Sequence, residues 1–212
     1  MIKNTTLQYK KVNSDVTVND PVKATTEAAA FDLSVPNFKS GTVLTVYPKK
    51  GSVENRKVQH DTITLNGGDT VIIPTNIAFN IPVEFDMLVF VRSSVGIKKG
   101  LALANSVAVI DSDYTDQLYI ALTNTRDNVV QITTGERIVQ CKLVDKVVSE
   151  LTLVDTDTVF TKNSNRVGGI GSTNGANAVE VAPTTVANDT VEVSDTVKPK
   201  RTTKTIEKEQ VQ

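Results

Sequence analysis

Five short clusters in this chain carry residue types that could do chemistry. The densest is Val109-Ile-Asp-Ser-Asp-Tyr114, in which Asp111 and Asp113 stand two apart beside apolar residues. Residues two apart on an extended backbone share a face. Paired carboxylates there need water, a cation or a hydrogen-bond donor to offset their repulsion. The plain alternative is a pair of solvated turn aspartates. Arg92-Ser93-Ser94 offers a guanidinium, two hydroxyls and turn N–H groups, a set suited to phosphate oxygens, although many such triplets merely end a strand. Arg166-Val-Gly-Gly-Ile-Gly-Ser-Thr173 joins an arginine to glycines that let backbone approach a ligand closely. It is not a Walker loop, because the glycine spacing differs and no Gly-Lys-Ser/Thr occurs; alone it reads as a linker. Gly135-Glu-Arg-Ile-Val-Gln140 ends in an amide, and Phe31-Asp32-Leu33 sets one carboxylate in apolar company. Both are ordinary by themselves.

What is scarce narrows the chemistry further. His60 is the sole histidine, which argues against His-clustered metal sites and serine–histidine triads and leaves acid–base work to carboxylates. Cys141 is the sole cysteine, so no intrachain disulfide forms and a reducing compartment is compatible. A net charge of −1 gives no global pull towards nucleic acid. No N-terminal stretch resembles a signal peptide and no apolar run reaches membrane-spanning length. A cytoplasmic location is expected, that of the host where a phage or virus encodes the chain.

These clusters must be held by strands. Alternation predicts an edge strand at residues 7–12 and strands at 31–36, 42–47, 62–65, 70–74 and 77–82. Residues 87–91 read as a fully buried strand. Residues 105–124 read as a β-hairpin with its polar turn at 112–116, and further strands are expected at 129–132, 137–144 and 151–154. No segment sustains a helical period, and short strands with turn signals every few residues predict an all-β sandwich or barrel. With 39% hydrophobic residues in 212, one domain and an appendage fit. We expect a β-domain over 1–162 with an enlarged loop at 37–61, then a glycine-rich arm at 163–175. A Thr-, Val-, Glu- and Lys-rich tail at 176–212 has no aromatic residue and is expected to be disordered. The basic end of that tail, from Lys198 to Lys208, is suited at most to weak contact with nucleic acid.

Order and spacing together exceed the single readings. Ala28-Ala-Ala-Phe-Asp-Leu33, Arg92-Ser-Ser-x-x-x-Lys98-x-Gly100, Val109-Ile-Asp-Ser-Asp-Tyr114, Gly135-Glu-Arg-Ile-Val-Gln140 and Arg166-x-Gly-Gly-Ile-Gly-Ser-Thr173 resemble the five motifs of the trimeric dUTPase family. They stand in the family's order across residues 7–174. The resemblance implies a jelly-roll-like β-barrel and a homotrimer with active sites shared between subunits. It implies a dUTP diphosphatase that converts dUTP to dUMP and pyrophosphate, limiting uracil in DNA and supplying dUMP for dTMP synthesis. Carried over residue by residue, Asp111 would activate the water for in-line attack on the α-phosphate, and Gln140 would lie near the phosphates and that water. Tyr114 would pack under the deoxyribose. Asn105, Val109 and Ile110 belong to the segment whose backbone would read uracil. Arg92, Ser93 and Ser94 would contact phosphates, and Asp32 would reach a metal through water. Arg166, Ile170, Gly171, Ser172 and Thr173 would form the arm that closes over the triphosphate. No carboxylate set resembles a dedicated metal cage, so Mg²⁺ is expected to arrive on the nucleotide.

The chain departs from the family pattern in places. Ile170 stands where the arm usually carries an aromatic, the arm is one residue shorter, and Asp116 replaces a common glycine. Two other functions compete. A dCTP deaminase of the same superfamily would need a glutamate near Asp111, and the Ile110-Asp111-x-Asp113-Tyr114 signature argues against it. A non-catalytic or regulatory binding protein on this fold would not need Asp111, Tyr114 and Gln140 together.

Overall fold

A computed structural model describes residues 5–158. The chain divides into two compact units, Met1–Leu151 and Thr152–Gln212. Of the second, the described part is 152–158, which contains a turn closed by Thr158 N–H on the Asp155 carbonyl at 3.0 Å. The arm at 163–175 and the tail at 176–212 lie outside the described residues.

The first unit is built of strands, as alternation predicts. In order they are β1 (Gln8–Lys11), β2 (Phe31–Ser34), β3 (Val43–Tyr47), β4 (Glu54–Lys57), β5 (Thr62–Leu65), β6 (Thr70–Asn80), β7 (Phe85–Val91), β8 (Leu101–Leu103), β9 (Ala108–Ile110), β10 (Gln117–Asn124), β11 (Val130–Thr133) and β12 (Arg137–Asp145). One sheet runs β4-β3-β6-β10-β8 with β1 also on β6, a second pairs β11 with β5, and a third runs β2-β12-β7-β9. Alternation is visible in burial: on β10, Leu118, Ile120, Leu122 and Asn124 point inward while Tyr119 is exposed. No helix among the described residues is long and apolar enough to cross a membrane.

Several expectations need correction. Residues 105–124 are not a hairpin: β9 pairs with β7, whereas β10 pairs with β6 and β8, so the polar turn crosses between two sheets. Periodicity assigns a face to each side chain but names no partner strand. For the same reason β11 and β12 follow one another without pairing; β11 joins β5, and β12 lies between β2 and β7. The two segments expected at 70–74 and 77–82 are one strand, β6. β7 is not buried on both faces, because Met87 and Val89 are buried while Leu88 and Phe90 are half-buried. Residues 151–154 form no strand and have no partner among the described residues, and Leu151 is 98% exposed. The polar strand β4, the three-residue β8 and a π-helical turn at Val95–Lys99 carry no alternation long enough to be read. Gly100 ends that turn at φ 67°, a left-handed angle that glycine adopts without penalty.

Two buried polar groups shape the main sheet. Asn76 lies within β6 at φ 60°, a conformation asparagine tolerates better than most residues. Its Nδ2 donates to the carbonyls of Asn13 and Val16 at 2.9 and 2.8 Å, and its Oδ1 accepts from Asn13 N–H at 2.8 Å. The partner strand slips in register between Gln117 and Tyr119, so this is a β-bulge, and Asn76 N–H donates to the Gln117 side chain at 3.1 Å. Asp69, 3% exposed, accepts from Arg56 Nη1 at 2.8 Å and from Asn66 N–H at 3.0 Å. Burial alone would raise its pKa, but these bonds and the Arg56 charge outweigh it and hold the carboxyl below its ordinary value.

Candidate active site

The third sheet carries three of the five clusters at one end. Asp32 on β2 faces Gln140 on β12, which in turn faces Phe90 on β7, two residues before Arg92. The Arg92 backbone N–H donates to the Ile138 carbonyl at 3.0 Å, so the turn after β7 is tied to β12. Asp32 is 8% exposed, and its Oδ2 lies 3.0 Å from Arg92 Nε and 3.1 Å from Arg137 Nη1. A buried carboxylate is stabilised by such pairing, and here it fixes the pose of two guanidinium groups. Arg92 Nη1 also donates to the Arg137 carbonyl at 3.1 Å, leaving Nη2 without a partner among the described residues. Ser93 and Ser94 are exposed, and Ser94 does not cap the π-helical turn with its side chain. Gln140 Nε2 donates to the Val91 carbonyl at 3.4 Å. Arg92 Nη2 and the exposed Ser93 and Ser94 thus remain as a platform of donors suited to anionic oxygens.

Cys141 is the next residue of β12, fully buried between Phe31 and Val89 of the flanking strands. Burial, with a smaller contribution from the Asp32 charge, pushes its thiol pKa far above the ordinary range.

The other end of the sheet carries Asp111. β9 is an edge strand held by β7 alone, with Met87 opposite Ile110. Its outer backbone groups therefore face away from the sheet, and Val109 is 63% exposed. After Ile110 the chain turns, with Tyr114 N–H donating to the Asp111 carbonyl at 3.1 Å. Asn105, exposed in the turn before β9, accepts from Val107 N–H at 2.7 Å through its own carbonyl. A cleft of about 240 Å³ opens between β9 and β10, lined by Val109, Ile110, Asp111, Tyr114, Leu118 and Tyr119. The Asp111 carboxylate has no hydrogen bond or ion pair among the described residues. Tyr114 Oη donates to the Gln117 carbonyl at 2.8 Å, and Gln117 Nε2 donates to Tyr119 Oη at 3.2 Å. Partial burial raises the Tyr114 pKa, with smaller effects from Asp116 and Tyr119, so the phenol stays a neutral donor. On the turn itself, Ser112 Oγ accepts from Lys146 Nζ at 2.6 Å, and the same ammonium lies 3.1 Å from Asp86 Oδ1.

A larger cavity of about 660 Å³ lies along β1 and β6 beside Tyr9, Phe79 and Asn80, and none of the predicted catalytic residues lines it. Chemistry, rather than size, favours the smaller cleft. The structure thus assembles Asp32, Arg92 and Gln140 in one place and Asn105, Val109, Ile110, Asp111 and Tyr114 in another. Arg166, Ile170, Gly171, Ser172 and Thr173 lie outside the described residues. Arg137, Tyr119 and Lys146 join these places without having been singled out in sequence. Arg137 stood within a recognised cluster; the other two carried no signal.

No group of three or more His, Cys, Asp or Glu side chains among the described residues could hold a metal ion. Asp32 spends Oδ2 on two guanidinium groups, a poor fit to a metal-facing role within one chain.

Comparison with known proteins gives one family. The dUTPase family model matches residues 57–174. The deoxyuridine 5'-triphosphate nucleotidohydrolase of Paraburkholderia phytofirmans is 32% identical over 146 residues, covering 68% of this chain and 97% of that protein. The enzyme of the same name from Azotobacter vinelandii is 34% identical over 139 residues, covering 64% of this chain and 90% of the relative. Among solved structures, a point mutant of Staphylococcus bacteriophage 80alpha dUTPase with dUpNHpp superposes with a TM-score of 0.57 at 21% identity, covering 78% of this chain and 98% of that one. The dUTPase of phage phi11 of S. aureus gives 0.54 at 19%, covering 74% and 100%. These structures support the jelly-roll-like fold.

Proposed function

This chain belongs to the dUTPase family, and from that premise we propose that it hydrolyses dUTP to dUMP and pyrophosphate at sites built jointly by several copies. The observation that carries the proposal is the cleft between β9 and β10, where an uncommitted carboxylate, Asp111, stands beside the aromatic ring of Tyr114. An open β9 edge presents backbone donors and acceptors along Val109 and Ile110, a means of reading a nucleobase edge through main-chain hydrogen bonds. Tyr114 offers a flat apolar floor for a deoxyribose. Asp111 accepts a proton from a water held in line with the α-phosphorus, which requires a heavy-atom approach of roughly 2.6–3.2 Å. Arg92, Ser93 and Ser94 bind phosphate oxygens, with Asp32 holding Arg92 in place and Gln140 beside it. Arg166, Ile170, Gly171, Ser172 and Thr173 are proposed to close over the triphosphate.

The divalent cation accompanies the nucleotide. Mg²⁺ on the phosphate oxygens would neutralise charge on the leaving pyrophosphate. Within this chain, Arg92 and Arg166 are proposed to supply fixed positive charge.

Assembly follows from β7. Met87 faces Ile110, so five residues of extended chain separate Asp111's end of β7 from Arg92, roughly 17 Å at the usual rise per residue. That separation supports a shared site, in which the phosphate platform of one copy meets the Asp111 cleft of another. A homotrimer satisfies this. Val147 and Val148, each 86% exposed, are suited to burial in such an assembly. The test is incubation with dUTP and dCTP, with and without Mg²⁺. Pyrophosphate from dUTP is expected; ammonia from dCTP, or no turnover of either, overturns the proposal.

A further inference from the structure

Lys146 follows β12, and its backbone N–H donates to the Glu84 carbonyl at 2.9 Å, which fixes the start of its side chain beside β7. That side chain is 24% exposed, and its ammonium pairs with Asp86 and donates to Ser112 Oγ. Asp86 directly precedes Met87, the partner of Ile110. The Asp86 Oδ1 atom is buried and has no aligned hydrogen bond, so the nearby ammonium is its compensating charge. A single cation thus joins the end of β12, the start of β7 and the turn that carries Asp111. Nothing else among the described residues bonds the Ser112 side chain. Among the described residues, Asp111 itself is held only through its backbone, by the Tyr114 N–H and by the β9 pairing that ends at Ile110.

We infer that Lys146 is a positioning residue for the reaction: through Ser112 it holds the Asp111 turn in the pose in which the carboxylate meets the attacking water. The inference rests on the dUTPase reading for its kinetic consequence, but the tether itself is independent of it. A lysine does this well because one compact charge can answer Asp86 and the Ser112 hydroxyl together. In-line attack is far more sensitive to small displacements than binding is, and a misplacement of about 1 Å can cost about a hundredfold in rate. Losing the tether should therefore lower kcat more than it raises KM.

The experiment compares Lys146→Met, Lys146→Arg and Ser112→Ala in the full chain, with two readouts. Amide hydrogen exchange across residues 111–116 should speed up in Lys146→Met and Ser112→Ala while the melting temperature of Ser112→Ala stays at the wild-type value. With dUTP, kcat should fall on the order of tenfold in both, KM should move less than about threefold, and Lys146→Arg should recover most of the loss. Wild-type exchange and wild-type kcat in Ser112→Ala overturn the inference, even where Lys146→Met fails to fold. A wild-type protein that turns over no dUTP sinks the dUTPase reading instead, and the exchange data then decide the tether alone.

Discussion

Asp111 differs from Asp32, Asp69 and Asp86 in that its side chain has no bonding partner among the described residues. Asp32 and Asp69 are each matched to arginine, and Asp86 to lysine, whereas Asp111 faces an open cleft. Asp111→Asn removes the proton acceptor and leaves shape nearly unchanged. We expect it to bind a non-hydrolysable dUTP analogue as the wild type does, with a single-turnover rate lower by about 10²–10⁴. An unchanged rate would remove Asp111 from the chemistry. Asp32 and Asp111 were legible in the sequence through the clusters that hold them, whereas Asp69 and Asp86 stood in none. The pairings were not legible: that Asp32 anchors Arg92 and Arg137 depends on β2 and β7 both meeting β12, which no local pattern encodes. Tyr119 and Lys146 were illegible for the same reason, since each acquires its role from neighbours distant in sequence.

Strand existence was read well from alternation, and strand partnership was not. The apolar-polar rhythm of 105–124 is real on both arms, yet the arms belong to different sheets. The bulge in β6 matters here because Asn76 N–H holds the side chain of Gln117, whose side-chain amide donates to Tyr119 and whose backbone carbonyl accepts from Tyr114. Asn76→Ala should cost on the order of 2–3 kcal/mol in unfolding free energy by stranding carbonyl and N–H groups of the 13–16 loop, as chemical denaturation would measure. A loss below about 0.5 kcal/mol would mean that water replaces the carboxamide there. The β3–β4 edge adds a pH dependence through Asp69. Its folded pKa lies below the unfolded one, so its stabilisation is complete above the unfolded value, about 3.9, and is lost as pH falls through the folded value. Melting curves of the wild type should therefore fall more steeply below about pH 4 than those of Asp69→Asn, which is less stable at neutral pH. Parallel acid limbs would exclude Asp69 as their source.

At the scale of the molecule, the proposal that one copy brings the Asp111 cleft and another the phosphate platform has a direct test. Asp111→Asn and Arg92→Met should each be nearly inactive alone. Unfolded together and refolded as a mixture, they should regain activity, because some sites then receive an intact Asp111 and an intact Arg92 from different chains. Light scattering should report a trimer for each. A mixture no more active than its parents, or an active monomer, would place both groups in one copy's site.

The lone thiol of Cys141 sits on an inner strand of the sheet that carries both candidate clusters, shielded from solvent and held protonated. It is a built-in clock. A disulfide reagent should leave the native protein unmodified and label it only when β12 parts from β2 or β7, so the labelling rate counts openings of that sheet. On the proposed shared site, substrate joining the phosphate platform of one copy to the cleft of the next should slow the clock. Rapid labelling of the native protein, or a rate indifferent to a non-hydrolysable dUTP analogue, would mean that nucleotide binding leaves the opening of this sheet unaltered.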